Sequence, residues 1–127
     1  MAGLNHIEGY LIDLKIQYQE IDDGTFLVND AGKGLTNVAL IHEDPVVVVR
    51  TKVMSVPAAN KESLYEKLLG LNATDLIHGA YALDGNDVIL IDTLEYDTMD
   101  KSELEATLDA IGLALAQHYS ILSQYRN

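Results

Sequence analysis

The strand-like stretches of this chain arrive in series, joined by short turns, and that limits its fold more than any other feature. After the turn signal Asp22-Asp23-Gly24, Thr25-Phe26-Leu27-Val28 reads as a strand. Gly takes positive φ freely there and Asp bonds its local backbone. The loop from Asn29 to Gly34 leads into a strand from Asn37 to His42. Glu43-Asp44-Pro45 is a tight connection, and Val46 to Met54 reads as one long strand. Farther on, Gly79 to Leu83 and Val88 to Ile91 flank Asp84-Gly85-Asn86-Asp87. Gly85 and Asn86 therefore predict a structural two-residue hairpin turn of the primed type, which demands positive φ. Strands in runs, not alternating with helices, specify an α+β fold with an antiparallel sheet. Val46-Val47-Val48-Val49 is apolar at every position, which suits a central strand covered on both faces.

Helical spacing brackets and interrupts these runs. Leu4, Ile7, Leu11, Leu14 and Tyr18 recur every three or four residues and predict a helix over residues 4–14. Ile12, Leu14, Ile16 and Tyr18 also alternate with polar residues, so an extended segment over 16–21 is expected to follow. Asn60 predicts an N-cap for a helix over 61–71 with the stripe Leu64, Leu68, Leu71. Asp100 with Glu103 forms an acidic capping box before the last stripe, Leu104, Leu108, Ile111, Leu115, Tyr119 and Leu122. A helix of about 25 residues spans about 37 Å. Ala106, Ala110 and Ala114 add a small-residue ridge to it that permits close approach of a second element.

Length and charge remove whole classes of function. The chain has 127 residues, no internal repeat and no linker-like stretch, so one domain over 1–127 is expected. Eight Lys and Arg against 20 Asp and Glu give a net charge of −12, against phosphate-contacting nucleic-acid binding and against an anionic membrane surface. A hydrophobic fraction of 48% is too rich for a disordered acidic chain. No apolar run is long enough to span a bilayer, and the start of the chain lacks the basic and apolar regions of a signal peptide. A cytoplasmic location is expected. With no Cys there is no disulfide, thiolate zinc site or cysteine nucleophile.

The remaining motifs carry no chemistry. Ala31-Gly32-Lys33-Gly34-Leu35-Thr36 superficially suggests a phosphate loop, but Lys33 precedes Gly34 and the hydroxyl comes three positions later, so a surface loop is expected. His6, His42, His78 and His118 form no paired metal motif and read as rim or surface residues. The acidic clusters at Asp22-Asp23, Asp84–Asp87 and Asp92–Asp100 lack the ligand spacing of a calcium loop and read as solvated faces. No Gly-x-Ser-x-Gly is present, and Ser102 is explained by its helix start. No catalytic, cofactor-binding or metal-binding residue is assigned, and no cofactor is expected.

Three blocks resemble a known family. They are the acidic turn into Thr25-Phe26-Leu27-Val28; the run Leu64-Tyr65-Glu66-Lys67-Leu68-Leu69-Gly70-Leu71-Asn72-Ala73 followed by Gly79-Ala80-Tyr81-Ala82-Leu83-Asp84; and the acidic capped helix at the end. Together they resemble the YbjN-like group, described as candidate sensory transduction regulators, whose fold is similar to that of the Tir-type chaperones of type III secretion. The resemblance implies an α-β-β-β-α-β-β-α domain with one twisted antiparallel sheet and helices at the N-terminus, middle and C-terminus. It carries over no catalytic residue.

The leading reading is a non-enzymatic, homodimeric protein-interaction module of the secretion-chaperone kind, with itself and another protein segment as partners. The alternative is a small-molecule-binding sensor or regulator on the same fold; a third is an enzyme whose site the sequence hides. An interaction module exposes apolar patches, whereas a sensor holds a concave apolar pocket with convergent polar groups. The candidate dimer or partner surface comprises Val46 and Val48 in the apolar run and the ridge Ala106, Ala110, Ala114.

Overall fold

A computed structural model describes residues 6–126. Its elements are α1 (His6–Asp13), β1 (Tyr18–Asp22), β2 (Thr25–Asp30), a short 3₁₀ turn (Ala31–Lys33), β3 (Leu35–Glu43), β4 (Val46–Ser55), α2 (Lys61–Thr74), β5 (Ala80–Asp84), β6 (Asp87–Glu95) and α3 (Lys101–Ser123). The strands form one six-stranded sheet in the order β1-β2-β3-β4-β6-β5, with every neighbouring pair antiparallel. The α+β antiparallel architecture expected from the serial strands is the one observed. Four strands, not three, precede α2, because the alternating segment after α1 pairs with β2 as an edge strand.

Local signals explain most boundaries. In the β5–β6 turn Gly85 takes φ 59°. Asn86 is not at positive φ, so the turn has the pattern with Gly at the first central position. Asp100 accepts from the Glu103 amide at 2.8 Å and Glu103 reaches back to the Asp100 amide at 3.2 Å, completing the capping box of α3. Asn60 does stand before α2, but at φ 63° its side chain makes no capping bond. The helix also runs past the expected end at 71 to Thr74. Leu4, expected in the first helix, lies outside the described residues.

The core lies between one face of the sheet and the helices. Phe26, Val28, Leu40, Val47, Val49, Val88 and Leu90 are buried in one cluster with Ile7 and Leu11 of α1, Leu64, Leu68 and Leu71 of α2, and Leu104, Leu108 and Ile111 of α3. Cover on both faces, expected for the Val46–Val49 run, is not what the fold provides. Val47 and Val49 are fully buried, while Val46 and Val48 point to the opposite, outer face and are half-buried outside that cluster.

The stripe of α3 also differs from its expected course. After Ile111 the buried positions are Gly112, Ala114, His118 and Leu122; Tyr119 is 61% exposed. Close approach to the helix uses glycine, not the alanine ridge. A Cβ built on Gly112 would run into the backbone carbonyl oxygen of Lys33, and one on Gly34 would meet the Gly112 carbonyl at 3.6 Å. The 3₁₀ turn thus packs backbone to backbone against α3.

Candidate functional site

The outer sheet face is organised in rows set by strand register. Glu43, Val46 and Glu95 form one row; Ile41, Val48 and Thr93 the next; Ala39, Arg50 and Ile91 the third; Lys52 and Ile89 the fourth. Acidic side chains therefore stand at one end, aliphatic ones in the middle and basic ones at the other end. The basic end is roofed by ion pairs. Arg50 on β4 reaches Asp84 at the end of β5 at 2.6 Å, crossing the intervening strand, and Lys52 meets Asp87 at 3.3 Å. Ile89 beneath them is 5% exposed although it stands outside the main core cluster. Val46, Val48, Ile41 and Ile91 have no such roof and remain half-buried.

The two sheet edges are treated differently. At the β5 edge, Asn72 of α2 donates to the Tyr81 carbonyl at 3.1 Å and accepts from the Tyr81 amide at 2.7 Å. One side chain thus takes up the donor and acceptor that an added strand would need. At the other edge β1 carries no further strand among the described residues, and all its residues except Tyr18 are exposed.

Of the sequence-derived surface residues, the fold brings Val46 and Val48 together on one face. The alanine ridge does not form a continuous surface: Ala106 is exposed, Ala110 is half-buried and Ala114 is 5% exposed. Ala110 and Ala114 face the Asp75–His78 connection across a small cavity of about 50 Å³. Gly85 stands clear of other elements, with nothing within 4 Å of a built Cβ.

Sequence reasoning missed a buried polar chain. His118, expected at the rim, is 2% exposed. Its Nδ1 lies 2.7 Å from the Tyr81 hydroxyl and its Nε2 lies 3.3 Å from Asp75. An ionised carboxylate only accepts, so Nε2 carries a hydrogen toward Asp75, and Nδ1 is the ring atom that meets the Tyr81 hydroxyl. Burial, then the nearby Asp75 charge, push the Tyr81 phenol up to about 12. The Thr74 hydroxyl first, and His118 second, hold the Asp75 carboxyl below its ordinary value. The chain of contacts ties the end of α2 to β5 and α3. The signal for His118 was present: it continues the spacing Ile111, Ala114, His118, Leu122. Elsewhere Tyr96 is stacked between His42, at 3.8 Å, and His6, at 5.0 Å. No cluster of three or more His, Asp or Glu fit to hold a metal occurs among the described residues. None of the described helices is long and apolar enough to cross a membrane.

A twisted antiparallel sheet with helices before, between and after its strands is the secretion-chaperone fold. It matches a chain of the heterodimeric ExoU–SpcU complex from the type III secretion system of Pseudomonas aeruginosa with a TM-score of 0.70 and 15% identity over 87% of this chain and 93% of that one. YbjN of E. coli matches with a TM-score of 0.68 and 12% identity over 94% and 93% of the two chains. The type III secretion chaperone SycH of Yersinia pestis, solved with a stable fragment of YscM2, matches at 0.59 and 16% identity over 87% and 93%. The chain belongs to the CesT_Tir_1 family, whose model matches residues 2–127. No curated protein matches its sequence.

Proposed function

We propose that this chain is a non-enzymatic protein-interaction module, one unit over its length, that acts in the cytoplasm as a homodimer built on the outer sheet face. The observation that carries this reading is the unroofed aliphatic middle of that face, where Ile41, Val46, Val48 and Ile91 stay half-buried between the Glu43–Glu95 end and an end whose Arg50 and Lys52 are paired with Asp84 and Asp87. A two-fold axis running across the strands sets the Glu43–Glu95 end of one copy over the Arg50–Lys52 end of the other, with Val46, Val48, Ile41 and Ile91 meeting in the middle. Isologous pairing of this kind is the commonest form of self-association. The arrangement also matters because the chain carries −12 overall, so most other faces would repel their copies. Two similar structures were solved as complexes with a second protein, which supports a partner-binding role. The open β1 edge offers backbone groups to an extended segment of such a partner.

Light scattering at micromolar concentration tests the dimer. The expected mass is twice the 13.9 kDa of one chain, falling to that of one chain for Val48→Asp with an unchanged circular dichroism spectrum. A wild-type mass of 13.9 kDa refutes the dimer; a dimer that survives Val48→Asp refutes its placement on this face.

A further inference from the structure

The β3–β4 hairpin does not continue to its open end. Its pairing stops at Ala39 and Arg50. Before that point β3 pairs only with β2, and beyond it β4 pairs only with β6. The sheet parts here, between Asn37 at φ 50° and a bulge at Val53. Side chains hold both banks in place. Thr51, 4% exposed, bonds the Thr36 and Asn37 carbonyls at 3.1 and 3.3 Å. Arg126 donates to the Val53 carbonyl at 3.1 Å. Backbone acceptors that a continued hairpin would have paired are thus occupied, and the rift persists without a strand to fill it.

The rift leads to a cavity of about 560 Å³ beneath the second half of α3, where Leu115, Tyr119 and Leu122 line it. That volume lies within the usual range for small-molecule sites, roughly 300–1,000 Å³. Its charge is unlike that of the rest of the chain. Acidic residues outnumber basic ones 20 to 8, yet Lys52 and Arg126 line the cavity and, among the described residues, no Asp or Glu does. The Lys52 ammonium itself is turned to the outer face, where it meets Asp87 at 3.3 Å, whereas Arg126 lies 5.2 Å above the Tyr119 ring that lines the cavity. A guanidinium has five donors, so Arg126 keeps donors for a further acceptor beside the Val53 carbonyl.

We propose that the rift binds a small amphipathic anion, an aliphatic monocarboxylate, with its chain against Leu115, Leu122 and Val53 and its carboxylate on the Arg126 guanidinium. This goes beyond the interaction-module reading and does not depend on it. Amide NMR of the full chain, titrated with decanoate below its micelle concentration, tests the site. Decanol and decyltrimethylammonium serve as neutral and cationic probes with the same tail. Expected are shifts confined to the rift and the end of α3, with decanoate binding at least tenfold tighter than either comparison probe. Arg126→Gln should remove that preference while leaving decanol binding in place, and Leu115→Trp should block all three by filling the cavity. The proposal is overturned by no saturable decanoate binding, by equal binding of the cationic probe, or by shifts centred on the outer-face residues Ile41, Val48 and Ile91. It is also overturned if the rift responds only to an added peptide strand.

Discussion

Gly112→Ala and Gly70→Ala are the same substitution in two helices and should move stability in opposite directions. In a helix interior, Ala is favoured over Gly by about 1 kcal/mol. At Gly70 of α2 nothing lies within 4 Å of the added Cβ, so that gain should appear nearly undiminished. At Gly112 the Cβ meets the Lys33 carbonyl oxygen, with Leu35 Cδ2 at 3.5 Å. The obstacle is backbone, which cannot swing away like the end of a long side chain. Relief requires α3 and the 3₁₀ turn to separate, which loosens Leu35, Leu108 and Ile111, each no more than 1% exposed. Overpacking of a filled core costs about 1–3 kcal/mol, and a clash with main chain belongs at the upper end. Subtracting the helix gain leaves a net loss of about 2 kcal/mol. With a urea m-value of about 2 kcal/mol/M, the denaturation midpoint should fall by about 1 M. Gly70→Ala should raise it by about half as much. Far-ultraviolet circular dichroism followed through urea titration measures both. A midpoint for Gly112→Ala equal to or above that of the parent chain refutes the backbone contact as the reason for glycine there.

Three further outcomes follow from buried or strained groups. Because the folded state holds the Tyr81 proton up to about 12 while a free phenol titrates near 10, that stabilisation is complete below pH 10. It is lost as pH rises toward 12, by roughly 2 kcal/mol. Tyr81→Phe should abolish this alkaline loss and, at neutral pH, lower stability by about 1–2 kcal/mol by leaving His118 Nδ1 unpaired; urea midpoints near pH 7 and near pH 11 compare the two, and parallel alkaline losses would show that another group is responsible. Thr107 is fully buried and its hydroxyl has no hydrogen-bond partner among the described residues, so the isosteric Thr107→Val should raise the midpoint by the equivalent of about 1 kcal/mol; a decrease would reveal a partner for that hydroxyl. Gly85→Val should cost more than about 1 kcal/mol through strain at positive φ alone, the space around it being open; an unchanged midpoint would remove the turn from the features that require glycine.

What the sequence determined by itself was local. The hairpin at Gly85, the Asp100–Glu103 capping box and the antiparallel run of strands each depend on groups within a few residues of one another, bonded through their own backbone or paired across a short turn. Val46 and Val48 were legible as members of an apolar run, but the run suggested cover on both faces, and only the tertiary structure buries Val47 and Val49 while leaving the side of Val46 and Val48 without a roof. The tertiary structure decided what depends on distant partners. His118 and Tyr119 are neighbours in a helix, and either could have continued the stripe. Tyr81, 37 positions from His118, and Asp75, 43 positions from it, supply the two hydrogen bonds that make the histidine the buried one. Gly112 gives no sign along the chain that Lys33 will press against it. The apolar run of β4 likewise does not reveal that its pairing with β3 ends at Arg50, because the parting of the strands is fixed by Thr51 and Arg126 reaching backbone carbonyls. The acid-to-base order of the outer face is also tertiary: it exists only once β3, β4 and β6 lie side by side in register.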